Sequence, residues 1–219
     1  MVVGYADELW EIASSHHGVF TSSDAEDAGV PGVELRKMTA RGTLERVARG
    51  VYRHPRVQVD RFTEAAGAVA AMGPGAYLEW DTVLCLHGLA SVDPPFIHVG
   101  LTRPTARAVP DRVRVSRRST RTGAGSSADG LGLAVHPMSE QDISHAEGVP
   151  ALSVYRALLD AMGRIPTDRI DTALDDAMSR GLLDRREHAH INWVLVNIHD
   201  GLVTLPFEHI EPVEPRHGN

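Results

Sequence analysis

The sequence predicts an α+β fold in which a small helical unit with a hairpin precedes a larger unit of helices and a small sheet. Two observations support this prediction. Apolar residues recur at helical spacing near both ends of the chain, whereas residues 96–101 and 112–118 alternate like strands. The chain of 219 residues is long enough for two small domains. We expect domains at residues 1–60 and 61–200, followed by a loose C-terminal tail at 201–219.

The first unit is predicted to begin with two helices. Apolar spacing favours a helix in residues 5–17, ending near Gly18. A shorter helix follows, for which Ser22 or Ser23 is the expected N-cap, because a hydroxyl there accepts a bond from a free backbone N–H. Acidic residues in its first turn suit the positive end of the helix dipole.

A third helix and a hairpin complete the first unit. The helix is expected to start at the Pro-Gly turn at 31–32 and to place Leu35 and Met38 inward. Gly42 ends it. The segment "TLERVARGVYRHP" then reads as a hairpin that turns at Gly50.

The larger unit is predicted from apolar runs and strand-like alternation. A Gly/Ser-rich loop is expected at 119–130. We expect helices in 62–73, 76–88, 151–163, 166–181 and 186–201, and strands in 96–101, 112–118 and 130–138.

Basic charge is concentrated although the chain as a whole carries −7. Residues 32–56 hold seven Lys or Arg against two carboxylates, a net +5, and residues 101–122 hold seven Arg against one, a net +6. Local fields of this kind attract polyanions even when the total charge is acidic.

The first basic segment predicts DNA binding. Helix, short helix, turn, basic helix and basic hairpin is the order of a winged helix-turn-helix, whose third helix enters the major groove while the hairpin touches the backbone or minor groove. The alternative is a three-helix bundle with a solvated basic face. The predicted DNA contacts are Arg36, Lys37, Thr39, Arg41, Arg46, Arg49 and Arg53.

Three stretches of this chain carry a family resemblance. They are "GVFTSSDAEDAGVPGVELRKMTARGTLERVARGVYR", "YLEWDTVLCLHGL" and "VPALSVYRALLDAM". The sequence resembles the AbiEi family of bacterial antitoxins from two-gene toxin–antitoxin operons. The resemblance implies a DNA-binding N-terminal domain that represses its own operon, and a C-terminal domain that counteracts a nucleotidyltransferase-like toxin. The implied partners are therefore a cognate toxin and double-stranded promoter DNA.

Two further charged clusters are candidate contact surfaces. Arg112, Arg114 and Arg118 are expected on one side of a strand, as a second nucleic-acid patch or a toxin-facing patch. Asp168, Asp171 and Asp175 follow helical spacing, where like charges repel. Their mutual repulsion suggests an external partner. The alternative for each cluster is a solvated surface.

The composition bounds the remaining possibilities. No apolar run is long enough to span a bilayer and no secretory signal pattern is seen, so we expect a cytoplasmic protein without a membrane partner. Cys85 is the only cysteine, which excludes an internal disulfide. His188 and His190 point in different directions on a helix, and we expect no metal site.

Two other functions stay open from sequence. One is an enzyme that inactivates the toxin covalently, as an atypical ATP- and Mg²⁺-dependent protein kinase. Lys37 is the only lysine and lies in the DNA-binding segment, so such an enzyme would lack the usual phosphate-binding strand lysine. It would use Asp171 and Asp175 for Mg²⁺. Otherwise we expect no cofactor. The other function is a transcription factor with a ligand-sensing domain.

Overall fold

The computed structural model describes residues 4–117, 138–199 and 211–212. These residues form a mixed α and β structure with two sheets, in agreement with the predicted fold class. None of the described helices is both long enough and apolar enough to cross a membrane. Arg118, the predicted loop at 119–130, and the predicted strand at 130–138 except Met138 lie outside the described residues.

The first unit contains three helices and a three-stranded sheet. The helices are α1 (Tyr5–Ser14), α2 (Ser22–Asp27) and α3 (Gly32–Ala40). The strands β1 (Val19–Thr21), β2 (Glu45–Ala48) and β3 (Val51–Arg53) form an antiparallel sheet in the order β1-β3-β2. Its core consists of Leu9, Ala13, Phe20, Ala25, Val30, Leu35, Leu44 and Tyr52.

The cap of α2 differs from the prediction by one residue. Thr21, not Ser22 or Ser23, is the N-cap, and its hydroxyl oxygen accepts from the backbone N–H of Asp24 at 3.2 Å. The Asp24 carboxylate accepts in return from the backbone N–H of Thr21 at 2.7 Å. This reciprocal capping box satisfies two N–H groups that a helix start leaves without partners.

The second sheet has six strands in the order β7-β8-β4-β5-β6-β9. Its strands are β4 (Ala76–Leu78), β5 (Ile97–Leu101), β6 (Val113–Arg117), β7 (Ile143–Ala146), β8 (Val149–Leu152) and β9 (Glu211–Pro212). The β4–β8 and β5–β6 pairs are parallel, and the others are antiparallel. The tail was expected to be loose; two of its residues form β9.

Five helices accompany this sheet. They are α4 (Thr63–Met72), α5 (Trp80–His87), α6 (Val154–Ala161), α7 (Thr167–Ser179) and α8 (Arg185–His199). Both α4 and α5 contact the sheet, whereas α6 packs against α5, α7 and α8. Two helix starts here were predicted wrongly, because residues 76–78 and 151–152 lie in strands. The apolar pattern also gave no indication of the hairpin that residues 143–152 form.

Helix α4 lies against both units. A separate small apolar cluster joins Val19 of β1 and Val51 of β3 to Ala71 of α4, all buried. A Cβ on Gly67 would lie 3.5 Å from a methyl group of Val47, so the β2–β3 hairpin also rests on this helix. The hairpin is therefore supported by a helix that follows residue 60.

Candidate nucleic-acid interface

Helix α3 and the β2–β3 hairpin share one core, so their outer faces are neighbours. Leu35 of α3, Leu44 and Tyr52 of β3 are buried in the same cluster. Only four residues separate α3 from β2, and the backbone N–H of Thr43 donates to the Met38 carbonyl at 2.9 Å. Because the inward faces are fixed together, the outward side chains of both elements form one surface.

The outward face of α3 is basic. Arg36, Lys37 and Arg41 are exposed. The Lys37 ammonium lies 2.7 Å from the Glu34 carboxylate, whereas in the described part of the chain Arg36 and Arg41 make no ion pair. The guanidinium groups of Arg36 in α3 and of Arg41 at its C-cap are therefore free to meet an anion.

Thr39 is less available for an external hydrogen bond than its neighbours on α3. Its side chain is half-buried, and its hydroxyl donates to the Leu35 carbonyl one turn earlier at 2.8 Å. A threonine that bonds back to its own helix has used its only hydroxyl proton. This contact argues against the predicted role of Thr39 as a donor to a base edge.

The hairpin turns sharply at Arg49 and Gly50. Gly50 has φ +73°, in the left-handed region that favours glycine. Its carbonyl accepts from the backbone N–H of Ser22 at 2.9 Å, which ties the turn to the start of α2. Arg49 is exposed at this turn and makes no ion pair among the described residues.

The two strand arginines of the hairpin are engaged to different degrees. Arg46 is exposed, and its Nε donates to the Ala48 carbonyl at 3.3 Å. Arg53 lies opposite Glu45 in the β2–β3 register and pairs with its carboxylate, with Nη2 to Oε2 at 2.8 Å. Arg46 keeps donors for an external anion, whereas Arg53 is held within the hairpin.

A comparison with known families matches the part of the chain that carries this surface. Residues 7–55 match the AbiEi antitoxin family of transcriptional regulators. This segment, here called the AbiEi region, holds α1 except its first two residues, together with α2, α3 and the whole hairpin. The match supports an antitoxin with a regulatory role.

Comparisons with curated proteins and with solved structures add no functional assignment. No curated protein matches the chain. The chain is similar to the crystal structure of the RV2827C protein from Mycobacterium tuberculosis, with 19% sequence identity. That match covers 87% of this chain and 72% of the other, with a TM-score of 0.42.

One exposed cation next to the AbiEi region was not in the predicted set. Arg56 follows β3, and its backbone N–H donates to Nδ1 of the buried His54 at 3.3 Å. Burial lowers the pKa of His54, and the charge of Arg56 adds to this. Arg56 belongs to the same +5 segment, so charge density along the sequence is the signal that could have included it.

Outside the AbiEi region, Arg112 and Arg114 of the second basic segment both have partners. Arg112 lies 3.4 Å from the Glu64 carboxylate, with both side chains exposed. The Arg114 guanidinium lies 3.6 Å from the centre of the Phe96 ring and donates to the Asp111 carbonyl at 3.3 Å. These contacts favour surface packing over a free anion-binding patch.

The acidic residues of α7 form the predicted stripe. Asp168, Asp171 and Asp175 are all exposed. Asp175 comes within 3.7 Å of His188 on α8, and its side chain is 85% exposed. Within the described ranges, no group of three or more His, Cys, Asp or Glu side chains could hold a metal ion. The carboxylates of the stripe are therefore exposed to solvent and form no metal-ligand set among the described residues.

The second unit also buries charged groups that the sequence did not single out. Arg156 Nε donates to the Asp160 carboxylate at 3.0 Å, and Nη1 lies 3.8 Å from that of Asp142. His98 lies 2.5 Å from the Asp81 carboxylate, and this hydrogen bond raises the His98 pKa despite its burial. Both clusters join a helix to a neighbouring strand or turn.

Proposed function

We propose that the chain is an antitoxin that represses its own operon by binding promoter DNA and neutralises a cognate nucleotidyltransferase-like toxin. One observation carries the first half of this proposal. The residues that match the antitoxin regulator family are the residues in which α3 and the hairpin expose unpaired guanidinium groups.

The element order supports a winged helix-turn-helix. In such a domain α3 enters the major groove and the β2–β3 hairpin is the wing. Arg36 and Arg41 then face base edges or phosphates from α3, while Arg46 and Arg49 reach the backbone or minor groove from the wing. A net charge of +5 in residues 32–56 attracts DNA although the whole chain is acidic.

The acidic stripe of α7 supports the second half of the proposal. A nucleotidyltransferase-like toxin must hold a triphosphate and a nucleic acid, so its cleft requires cations. Three exposed carboxylates on one helix complement such a cleft in charge and steer association. We therefore assign the toxin-facing surface to the larger unit, with Asp168, Asp171 and Asp175 at its centre.

The test of DNA binding uses the full-length chain and a fragment of its own promoter. We expect salt-dependent binding that is weaker in the Arg36→Ala/Arg49→Ala double variant. The matched control is Arg169→Ala/Arg186→Ala, which removes two exposed arginines from α7 and α8. Equal loss in both double variants would contradict a role for the AbiEi region.

Point variants separate the two functions better than a truncation. The cluster of Val19, Val51 and Ala71 crosses residue 60, so removing the first unit would expose an apolar face of α4. The Arg36→Ala/Arg49→Ala chain should fail to repress the operon and still restore growth when the toxin is co-expressed. Lost rescue with an unchanged melting temperature would show that the two functions share a surface.

A further inference from the structure

His17 lies where three distant segments of the chain meet. It immediately precedes Gly18 and β1, and its ring nitrogen Nδ1 lies 2.7 Å from Oδ2 of Asp60, in the connection to α4. Its other ring nitrogen, Nε2, lies 2.7 Å from the backbone carbonyl oxygen of Glu147, in the turn between β7 and β8. One side chain therefore joins the AbiEi region to the sheet of the larger unit.

Both partners of the His17 ring are hydrogen-bond acceptors. The Glu147 carbonyl cannot donate, and the Asp60 carboxylate already accepts at its other oxygen from the backbone N–H of Phe62 at 2.8 Å. A neutral imidazole has a single N–H, whereas an imidazolium has two. Only the protonated ring makes both bonds at the same time.

The backbone on both sides of this contact has an uncommon conformation. His17 has φ +54° and Glu147 has φ +48°, although neither is glycine. Residues other than glycine seldom adopt such values, which persist only where the surrounding structure enforces them. The ring of His17 also packs against Phe62, with 5.1 Å between the ring centres.

We propose that protonated His17 is a latch between the two units, and that loss of its proton releases the β7–β8 hairpin and weakens promoter binding. The latch rests on the contacts of His17 alone. Its effect on promoter binding rests on the proposed function. The path to the DNA surface is short, because β1 pairs with β3, and β3 pairs with β2 of the hairpin.

The charges around His17 set the direction of its titration. Burial alone would lower the His17 pKa, but the bonds to Asp60 and to the Glu147 carbonyl raise it by more, and both negative charges add to the rise. The latch is therefore complete below the ordinary histidine pKa of about 6.5. It is lost as the pH rises through the higher pKa of the folded protein.

Three other charged or titratable groups surround the contact. Arg61 stacks on the Phe62 ring that packs against His17, with its guanidinium carbon 4.9 Å from the centre of that ring. The His87 pKa is lowered by burial and by Arg180 and Arg61, and raised only by Glu147. His16 is turned away, with Nδ1 2.8 Å from the Ile12 carbonyl.

One substitution reverses the sign of the effect. In Asp60→Asn, the amide can donate to Nδ1 of a neutral His17 ring while Nε2–H donates to the Glu147 carbonyl, so both bonds form without a charge. We expect the His17 pKa to fall below its ordinary value in this variant. The latch should then close as the pH rises, the opposite of the natural chain. The matched control is Glu147→Gln, which keeps the carbonyl and should shift the pKa only slightly.

The experiment follows the His17 ring by NMR in the full-length chain between pH 5.5 and 8.5, together with hydrogen exchange of the amides of residues 147–149. We expect two protonated ring nitrogens at low pH, a raised pKa, and smaller protection factors in the turn as the proton leaves, each exchange rate being divided into the intrinsic rate at the same pH. A His17 pKa at or below its ordinary value, or protection factors that change in the same direction in Asp60→Asn, would overturn the latch.

Promoter affinity over the same pH range tests the regulatory half. The natural chain should lose about fivefold or more in affinity relative to Asp60→Asn as the pH rises, within the usual range of coupling between sites. Parallel pH profiles in the two chains, with the NMR titration as expected, would overturn the coupling and leave the latch standing. No promoter binding at any pH would instead count against the proposed function.

Discussion

The guanidinium group of Arg53 and the carboxylate of Glu45 face each other across the β2–β3 pair, with Nε to Oε2 at 2.9 Å. This pairing divides the arginines of the hairpin into two classes. Arg53 stabilises the hairpin, whereas Arg49 at the turn is free for phosphate. Their positions in the sequence do not distinguish Arg49 from Arg53.

Arg49→Ala and Arg53→Ala should therefore differ in a salt titration of promoter binding. Each lost phosphate contact reduces the slope of log affinity against log salt by about 0.9. We expect this reduction for Arg49→Ala. Arg53→Ala should leave the slope nearly unchanged and instead lower stability by about 0.2–1 kcal/mol, as for other exposed ion pairs. An equal loss of slope in both variants would show that Glu45 releases Arg53 on DNA.

On α3, Arg36 should read a base and Thr39 should not. Arg36→Ala is expected to cost roughly 1–3 kcal/mol of promoter binding and to relax the preference at one base pair. Thr39→Val is the contrasting variant, because the Thr39 hydroxyl already donates to the Leu35 carbonyl. Competition binding with single-base promoter variants measures both. A changed base preference in Thr39→Val would contradict this assignment.

A stability prediction tests the packing of the second sheet. Gly100 of β5 pairs with Tyr77 of β4, and a Cβ on Gly100 would overlap the Tyr77 ring. Gly100→Ala should therefore destabilise the chain by about 1–3 kcal/mol through overpacking. Gly32→Ala is the control, because no atom lies within 4 Å of the added group. We expect a melting temperature lowered by roughly 2–4 °C per kcal/mol in the first variant. In the second it should be unchanged or slightly raised, because alanine favours a helix more than glycine does.

The first unit was predictable because its signals are local. Glycines, the Pro-Gly turn and the period of apolar residues mark α1, α3 and the hairpin, and charge density marks the exposed face. The error at α2 has a local cause as well. Thr21, Ser22 and Ser23 can all cap a helix, and only the pairing of Thr21 with Val51 fixes the first of them at the end of β1.

The second unit was less predictable because its strands are short and buried on a mixed sheet. Residues 76–78 are entirely apolar, and a short apolar run does not distinguish a strand from a helix. The contacts that decide which arginines are free join residues far apart in sequence. Arg114 meets Phe96, and Arg112 meets Glu64, through strand pairing and helix placement that composition does not reveal.

The acidic stripe of α7 gives a prediction about the toxin. Asp171→Lys/Asp175→Lys should impair growth rescue and leave promoter binding unchanged, because the reversed charges repel a cation-rich cleft. Its melting temperature should stay the same, since both side chains are exposed. Full growth rescue by this variant would instead favour the alternative, in which Asp171 and Asp175 are part of a solvated surface.

The mass of the toxin separates a binding antitoxin from an enzymatic one. Toxin incubated with the natural chain, ATP and Mg²⁺ should keep its mass if neutralisation works by binding through the stripe. A stable increment of one phosphoryl group would require covalent modification instead. The same incubation with the double variant is the control, since Asp171 and Asp175 are the residues assigned to Mg²⁺ in the enzymatic alternative.

In the proposed function, the surface of α3 and the hairpin binds the promoter of this chain's own operon. Its most direct test is fluorescence anisotropy of a labelled promoter fragment, titrated with the natural chain and with Arg36→Ala/Arg49→Ala at several salt concentrations. We expect tight binding by the natural chain and weaker binding by the variant, with a salt slope smaller by about 0.9, because Arg49 is the phosphate contact of the pair. Identical affinities and slopes for the two chains, both correctly folded, would contradict it.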